Sequence, residues 1–123
     1  MLLGLTGMFV SVSMLAHHGT NISYDHNKPT TLTGIVTEFV WSNPHAQLYF
    51  DVKNAKNKIE HWGGELPSPY NIARDGWTKR QFKPGDQITL TVFPSKVGTP
   101  VGVIDRTKPI IVNGKELERG TNE

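Results

Sequence analysis

Two adjacent histidines near the start of the chain, and a third that follows a proline, are the residues best suited to bind a metal. They are His17, His18 and His45. Neutral imidazole is a common ligand of divalent metals. Cleavage after Ala16 would make His17 the first residue, whose α-amine and ring nitrogen chelate one ion together. A second histidine then completes a flat set of nitrogen donors, which favours Cu(II). The sequence predicts a copper site, with zinc as the alternative ion.

The composition limits the ligands and the partners. The chain has no cysteine, so a metal must be held by histidine, carboxylate, amine or water. The formal net charge is only +2, and acidic and basic residues are interspersed. Nucleic acid is therefore not an expected partner. The expected partner is an exported protein or a small molecule of unknown identity.

The first residues resemble an export signal. Residues 2–16 are mostly apolar and no charged side chain precedes Asp25. This segment is shorter than the roughly 20 apolar residues that span a bilayer, and it ends in a small residue, Ala16, at the expected cleavage position. We predict a signal peptide over 1–16, cleaved between Ser13 and Ala16, and hence a periplasmic or secreted protein without a membrane span. A cut after Ser13 would leave three residues before the histidines; an uncleaved anchor or a disordered arm is the alternative.

His45 and Glu65 are expected at the ends of strands. His45 follows Pro44 at a corner between two predicted strands, where it either binds metal or hydrogen-bonds to the backbone. Glu65 follows Gly63 and Gly64, whose small size is expected to leave space beside it. It would orient an imidazole or bind the metal directly, or else be an exposed acid at a strand end.

Aromatic residues form a candidate pocket, with core packing as the alternative. These residues are Trp41, Tyr49, Trp62 and Trp77. His26 and His61 are expected at the surface.

Residues 17–30 are predicted to form an extended lead-in. The residues after it have mainly the pattern of β-strands. Strands are predicted over 31–41, 46–52, 59–66 and 87–93, with one or two more over 101–112. Gly34 is expected to bend the first strand or to allow a bulge. Ser68, Pro69 and Gly76 have the positions of an N-cap, a first helical residue and a terminator, so a short helix is predicted between the third and fourth strands.

This order of elements predicts a single all-β domain over 31–123 with a small helical contribution. Three strands, a short helix and further strands match the five-stranded Greek-key barrel of the OB-fold. A β-sandwich of the immunoglobulin type is the alternative, but it has about seven strands and no helix in the middle.

The chain resembles a family of small exported bacterial proteins of unknown function. An N-terminal His-His and a Trp-x-Asn-Pro-His element are the most specific parts of the resemblance, which covers nearly all of the chain after the leader. The matching segments are His17-His18-Gly19, Leu32-Thr33-Gly34-Ile35-Val36, Trp41-Ser42-Asn43-Pro44-His45, Trp62 with Glu65-Leu66, Ser68-Pro69, Gly76-Trp77 and Lys83-Pro84-Gly85-Asp86. The resemblance implies a periplasmic or secreted single-domain β protein and no established activity.

The sequence favours a binding protein over an enzyme without settling the point. It has no Gly-x-Ser-x-Gly motif and no phosphate-binding glycine loop. The leading hypothesis is an exported metal-binding protein that uses His17, His18 and His45. The alternative is a metal-free OB-like module for a small molecule or a partner protein, and a copper-dependent oxidase is a third hypothesis.

Overall fold

A computed structural model describes residues 23–118 of the chain. The predicted signal peptide and the first part of the lead-in, with His17 and His18, lie outside the described residues. The elements are β1 (Thr30–Val40), β2 (Gln47–Lys53), β3 (Ile59–Glu65), α1 (Pro69–Arg74), β4 (Gln87–Pro94), β5 (Val101–Ile104), β6 (Ile111–Val112) and β7 (Lys115–Glu116).

Five strands close into a barrel in the order β1-β2-β3-β5-β4, and β4 pairs again with β1. Of these pairings, only that of β3 with β5 is parallel. This strand order, with α1 between β3 and β4, confirms the predicted OB-like barrel and excludes the sandwich. β6 and β7 form a short additional hairpin on β4, with Asn113 and Gly114 at positive φ in its turn, as the Asn-Gly pair predicts.

β1 is long enough to pair with two different strands, and it must bend to do so. Its first half pairs with β4 and its second half with β2. Gly34 is buried at the crossing, where a Cβ would overlap the carbonyl oxygen of Asp51. The register shift that accompanies the bend falls further along, between Val36 and Glu38. Gly34 therefore allows the close approach of two backbones, and the bulge lies beyond it.

The barrel interior is filled by alternate residues of the strands. Leu48 and Phe50 of β2 are almost fully buried, whereas Tyr49 between them faces outward. The helix α1 adds the fully buried Ile72, and its N-cap Ser68 accepts a hydrogen bond from the Asn71 amide, as predicted. Within residues 23–118, no helix has the length and hydrophobicity needed to cross a membrane.

Candidate functional site

The corner between β1 and β2 brings His45 to the end of β3. Backbone hydrogen bonds join the Ala46 amide to the Pro67 carbonyl at 3.1 Å and the Leu66 amide to the Ala46 carbonyl at 2.9 Å, which extends the β2–β3 pairing beyond both strands. His45 consequently lies beside Leu66, and its Nδ1 is 3.0 Å from the Leu66 carbonyl oxygen. The sequence analysis gave a hydrogen bond to the backbone as one alternative for His45, and this hydrogen bond is present.

This contact determines which nitrogen of the His45 ring is free. A carbonyl oxygen only accepts hydrogen bonds, so Nδ1 must be the protonated nitrogen that donates. In the neutral ring, Nε2 then carries a lone pair. It lies 3.4 Å from Oε1 of Glu65, and the two side chains are 47% and 26% exposed. The corner thus places Nε2 of an imidazole against a carboxylate, within reach of solvent.

Glu65 occupies the last position of β3, between Gln47 of β2 and Val103 of β5. The open space expected beside it is filled, which corrects the expectation from the sequence. The Tyr49 ring lies against Gly63, at 3.4 Å from where a Cβ would be, and the Ile104 side chain would be 2.7 Å from a Cβ on Gly64. The two glycines make room for these neighbouring side chains.

Tyr24 is a third member of the corner, and the sequence analysis missed it. Its hydroxyl donates a hydrogen bond of 2.9 Å to Oε2 of Glu65. The segment around it is held by a bridge from Tyr24 to Ser95 and by a hydrogen bond from the Asp25 amide to the Pro94 carbonyl. No periodicity in the sequence marks this contact, because the two partners are 41 residues apart.

The environment of Tyr24 keeps its phenol protonated. Partial burial, the hydrogen bond to Glu65 and the charge of that carboxylate raise the pKa of Tyr24 from 10.0 to about 12, with burial the largest cause. At neutral pH the hydroxyl therefore donates to Oε2, and Oε1 is the oxygen that faces His45.

The corner cluster of Tyr24, His45 and Glu65 contains two groups that bind metals readily, one imidazole and one carboxylate. Among residues 23–118 there is no group of three or more His, Asp or Glu side chains that could hold a metal ion. A complete site would need further ligands. The other two predicted ligands, His17 and His18, lie outside the described residues.

The two remaining histidines lie away from this cluster. His61 of β3 pairs across the sheet with Asp51 at 2.5 Å, and its side chain is 83% exposed. His26 is exposed, and its ring lies 4.6 Å from that of Phe93. Both are at the surface, as the sequence predicts.

In the described part of the chain, the four aromatic residues proposed for a pocket lie in different surroundings. Tyr49 faces outward from β2, whereas Trp62 of β3 packs against the core on the inner face, with its indole N–H buried and without a hydrogen-bond partner in the described part of the chain. Trp41 packs edge-on against Phe39. Trp77 is buried after α1 and lines a cavity with Asp75 and Arg106, two residues that the sequence did not single out.

Comparisons with known proteins identify the family but no characterised relative. Neither the curated proteins nor the solved structures contain a significant match. A family model described as "Family of unknown function (DUF6152)" matches residues 7–106, which is most of the chain. The chain belongs to this family of unknown function.

Proposed function

We propose that this protein is an exported metal-binding protein that holds one ion, copper by preference, at the corner cluster. His45 and Glu65 supply ligands from the barrel, and His17 and His18 supply the remaining nitrogen donors. The His-His pair and the Trp-x-Asn-Pro-His element are then the two halves of one site. Storage, delivery or sensing of the metal are the roles that such a site would serve.

The contact of His45 with the Leu66 carbonyl is the observation that carries the proposal. The hydrogen bond from Nδ1 to the Leu66 carbonyl orients the ring and leaves Nε2 as the electron-pair donor. Metal-binding histidines commonly make such a bond with the nitrogen that is not coordinated. A lone pair and a carboxylate oxygen 3.4 Å apart repel each other, and either a proton on Nε2 or a metal ion beside both atoms removes this repulsion.

The separation of the two donor atoms suits a shared metal ion. Nitrogen and oxygen ligands lie about 2.1 Å from a bound ion, so two of them are about 3.0 Å apart at a right angle and about 3.4 Å apart at the tetrahedral angle. Nε2 of His45 and Oε1 of Glu65 are 3.4 Å apart. Only a small adjustment of either side chain would be needed for square coordination.

Tyr24 supports the participation of the N-terminal histidines, because it ties the start of the described chain to Glu65. His18 precedes Tyr24 by six positions. Six residues span at most about 20 Å when extended. The chain is therefore long enough to turn back and bring either histidine to the corner cluster.

A copper titration of two forms of the protein tests the role of the N-terminus. One form begins at His17, and the other retains Met14, Leu15 and Ala16. A site that uses the free amine is expected to bind Cu(II) at least about tenfold more weakly in the extended form, measured by competition with a chelator of known affinity. Equal affinities would contradict the role of the terminal amine as a ligand. They would not contradict a site formed by side chains alone.

A pair of histidine variants tests the barrel ligand. His45→Ala is expected to weaken Cu(II) binding by about 100-fold, because it removes the oriented donor. His61→Ala is the matched control, since His61 is also an exposed histidine beside a carboxylate. If both variants bind as the unaltered protein does, or if the unaltered protein takes up neither copper nor zinc, the proposal is wrong.

A further inference from the structure

Two adjacent cavities lie beside the C-terminal end of α1, and Tyr24, His45 and Glu65 are not among the residues that line them. The larger has a volume of about 310 Å³ and includes Trp77, Ile110 and Leu117 in its lining. The smaller has a volume of about 280 Å³ and is lined by Pro67, Asn71, Arg74, Asp75 and Arg106. Asp75 and Arg106 line both cavities, so they form a common wall. Each volume is close to the lower end of the range for small-molecule sites.

The common wall is held in place by contacts on both of its sides. Arg106 donates a hydrogen bond of 2.5 Å from its guanidinium to Oδ2 of Asp75, and both side chains are about one-third exposed. The guanidinium carbon is also 6.0 Å from the centre of the Trp77 ring. A guanidinium has five N–H groups, and its contact with Asp75 leaves others for a ligand. Arg106 is thus oriented before any ligand arrives.

The smaller cavity carries a net positive charge. Its lining contains two arginines, Arg74 at the end of α1 and Arg106, against a single carboxylate, that of Asp75, and Asn71 adds a polar amide. The Arg74 guanidinium carbon lies 6.0 Å from the centre of the exposed Tyr70 ring. Arginine binds carboxylates and phosphates through paired N–H groups. One excess positive charge matches a singly charged carboxylate better than a phosphate that carries two charges.

The larger cavity provides an apolar surface next to this charge. The Trp77 ring is buried at 7% exposure, Ile110 is buried at 5%, and Leu117 is half-buried. The charged side chains of its lining balance, with Arg106 and Lys108 against Asp75 and Glu118. Binding of an apolar body against Trp77, Ile110 and Leu117 is favourable because it removes apolar surface from water.

We propose that these two cavities form one binding site for a small monocarboxylate with an apolar body. The carboxylate lies in the smaller cavity between Arg74 and Arg106, and the apolar body extends past the common wall onto Trp77 and Leu117. The site shares no lining residue with the corner cluster, and no metal takes part in it.

Titration of the full chain with octanoate tests this site. Octanol keeps the apolar body without the charge, octylammonium reverses the charge, and octyl phosphate changes the head group. Octanoate is expected to bind with one-to-one stoichiometry, at least about tenfold more tightly than any of the other three, as measured by calorimetry. Absence of octanoate binding, or equal binding of octanol, would overturn the proposal. Tighter binding of octyl phosphate would also overturn it, in favour of a phosphate site.

Variants of exposed arginines show whether the binding takes place in these cavities. Arg74→Gln is expected to weaken octanoate binding about tenfold, because a charge-assisted contact is lost. Arg80→Gln makes the same change at another exposed position and is expected to leave the affinity unchanged. Equal affinities of the two variants would place octanoate elsewhere and overturn the proposal.

A second pair of variants tests the apolar half and separates this proposal from the metal site. Leu117→Ser is expected to weaken octanoate binding several-fold and to leave the Cu(II) affinity unchanged, since apolar contact area is lost. His45→Ala is expected to do the reverse. An unchanged octanoate affinity in Leu117→Ser would contradict the proposed position of the apolar body.

Discussion

The corner cluster and the paired cavities lie on the same small barrel, but their side chains suit ligands of different kinds. At the corner, the carboxylate of Glu65 lies 2.9 Å from the Tyr24 hydroxyl and 3.4 Å from Nε2 of His45, whose ring is held by the Leu66 carbonyl. Beside α1, one charged pair divides a polar cavity from an apolar one. Ligand atoms that converge on one point suit an ion. An apolar surface next to a fixed charge suits an organic molecule.

The largest expected effect is on the barrel that supports both regions. Gly34→Ala places a Cβ against the Asp51 carbonyl, and backbone atoms cannot move aside as a flexible side chain can. We expect a loss of about 3 kcal/mol in the free energy of unfolding, measured in urea. Gly63→Ala is the control, because its Cβ would make ordinary contacts at 3.4 Å and beyond, and it should cost much less.

The second prediction concerns the corner alone. Glu65→Gln keeps an acceptor for Tyr24 and removes the charge that faces His45. If Glu65 is a ligand, Cu(II) affinity should fall between about tenfold and 100-fold while octanoate binding stays the same. Glu38→Gln on β1, an exposed residue, provides the control for a lost surface charge. Equal copper affinities in the two variants would remove Glu65 from the site.

A smaller effect is expected when the link to the lead-in is cut. Tyr24→Phe removes the hydrogen bond to Glu65 and retains the ring, so the free energy of unfolding should fall by about 1 kcal/mol. Copper affinity should fall only a few-fold, since none of the four proposed ligands is lost. Tyr70→Phe is the control, because Tyr70 is 73% exposed. An unchanged unfolding curve for Tyr24→Phe would show that the contact contributes little.

The smallest effect is expected at the start of α1. Ser68→Ala removes the cap on the Asn71 amide, whose hydrogen bond is long at 3.3 Å, so we expect a loss of about 0.5 kcal/mol. The helix carries Asn71 and Arg74, so octanoate binding should weaken slightly, whereas copper binding should stay the same. A larger loss of copper affinity than of octanoate affinity would mean that the two regions are not independent. Ser42→Ala, at an exposed position before β2, is the control.

Local patterns were sufficient to predict most of the fold. Alternation of apolar and polar residues located β2 and β4 to within one residue at each end, and the positions of Ser68, Pro69 and Gly76 located α1. These signals depend on residues that are close in sequence.

The candidate site was predicted only in part. His45 and Glu65 lie together, but Tyr24 and Arg106 were missed because each acts through a partner 31 or more residues away.

By itself, the sequence determined the strands, the short helix, their order and the absence of thiolate ligands. It also determined which residues had suitable chemistry, since an imidazole or a carboxylate has the same donor atoms in any fold. Only the tertiary structure decided which of these residues meet. Closure of the barrel placed the Leu66 carbonyl beside His45, and so chose the ring nitrogen that is left free. Packing of Tyr49 and Ile104 against Gly63 and Gly64 filled the space that the glycines had suggested. Such contacts depend on strand pairing and core packing between distant parts of the chain, which local residue patterns do not encode.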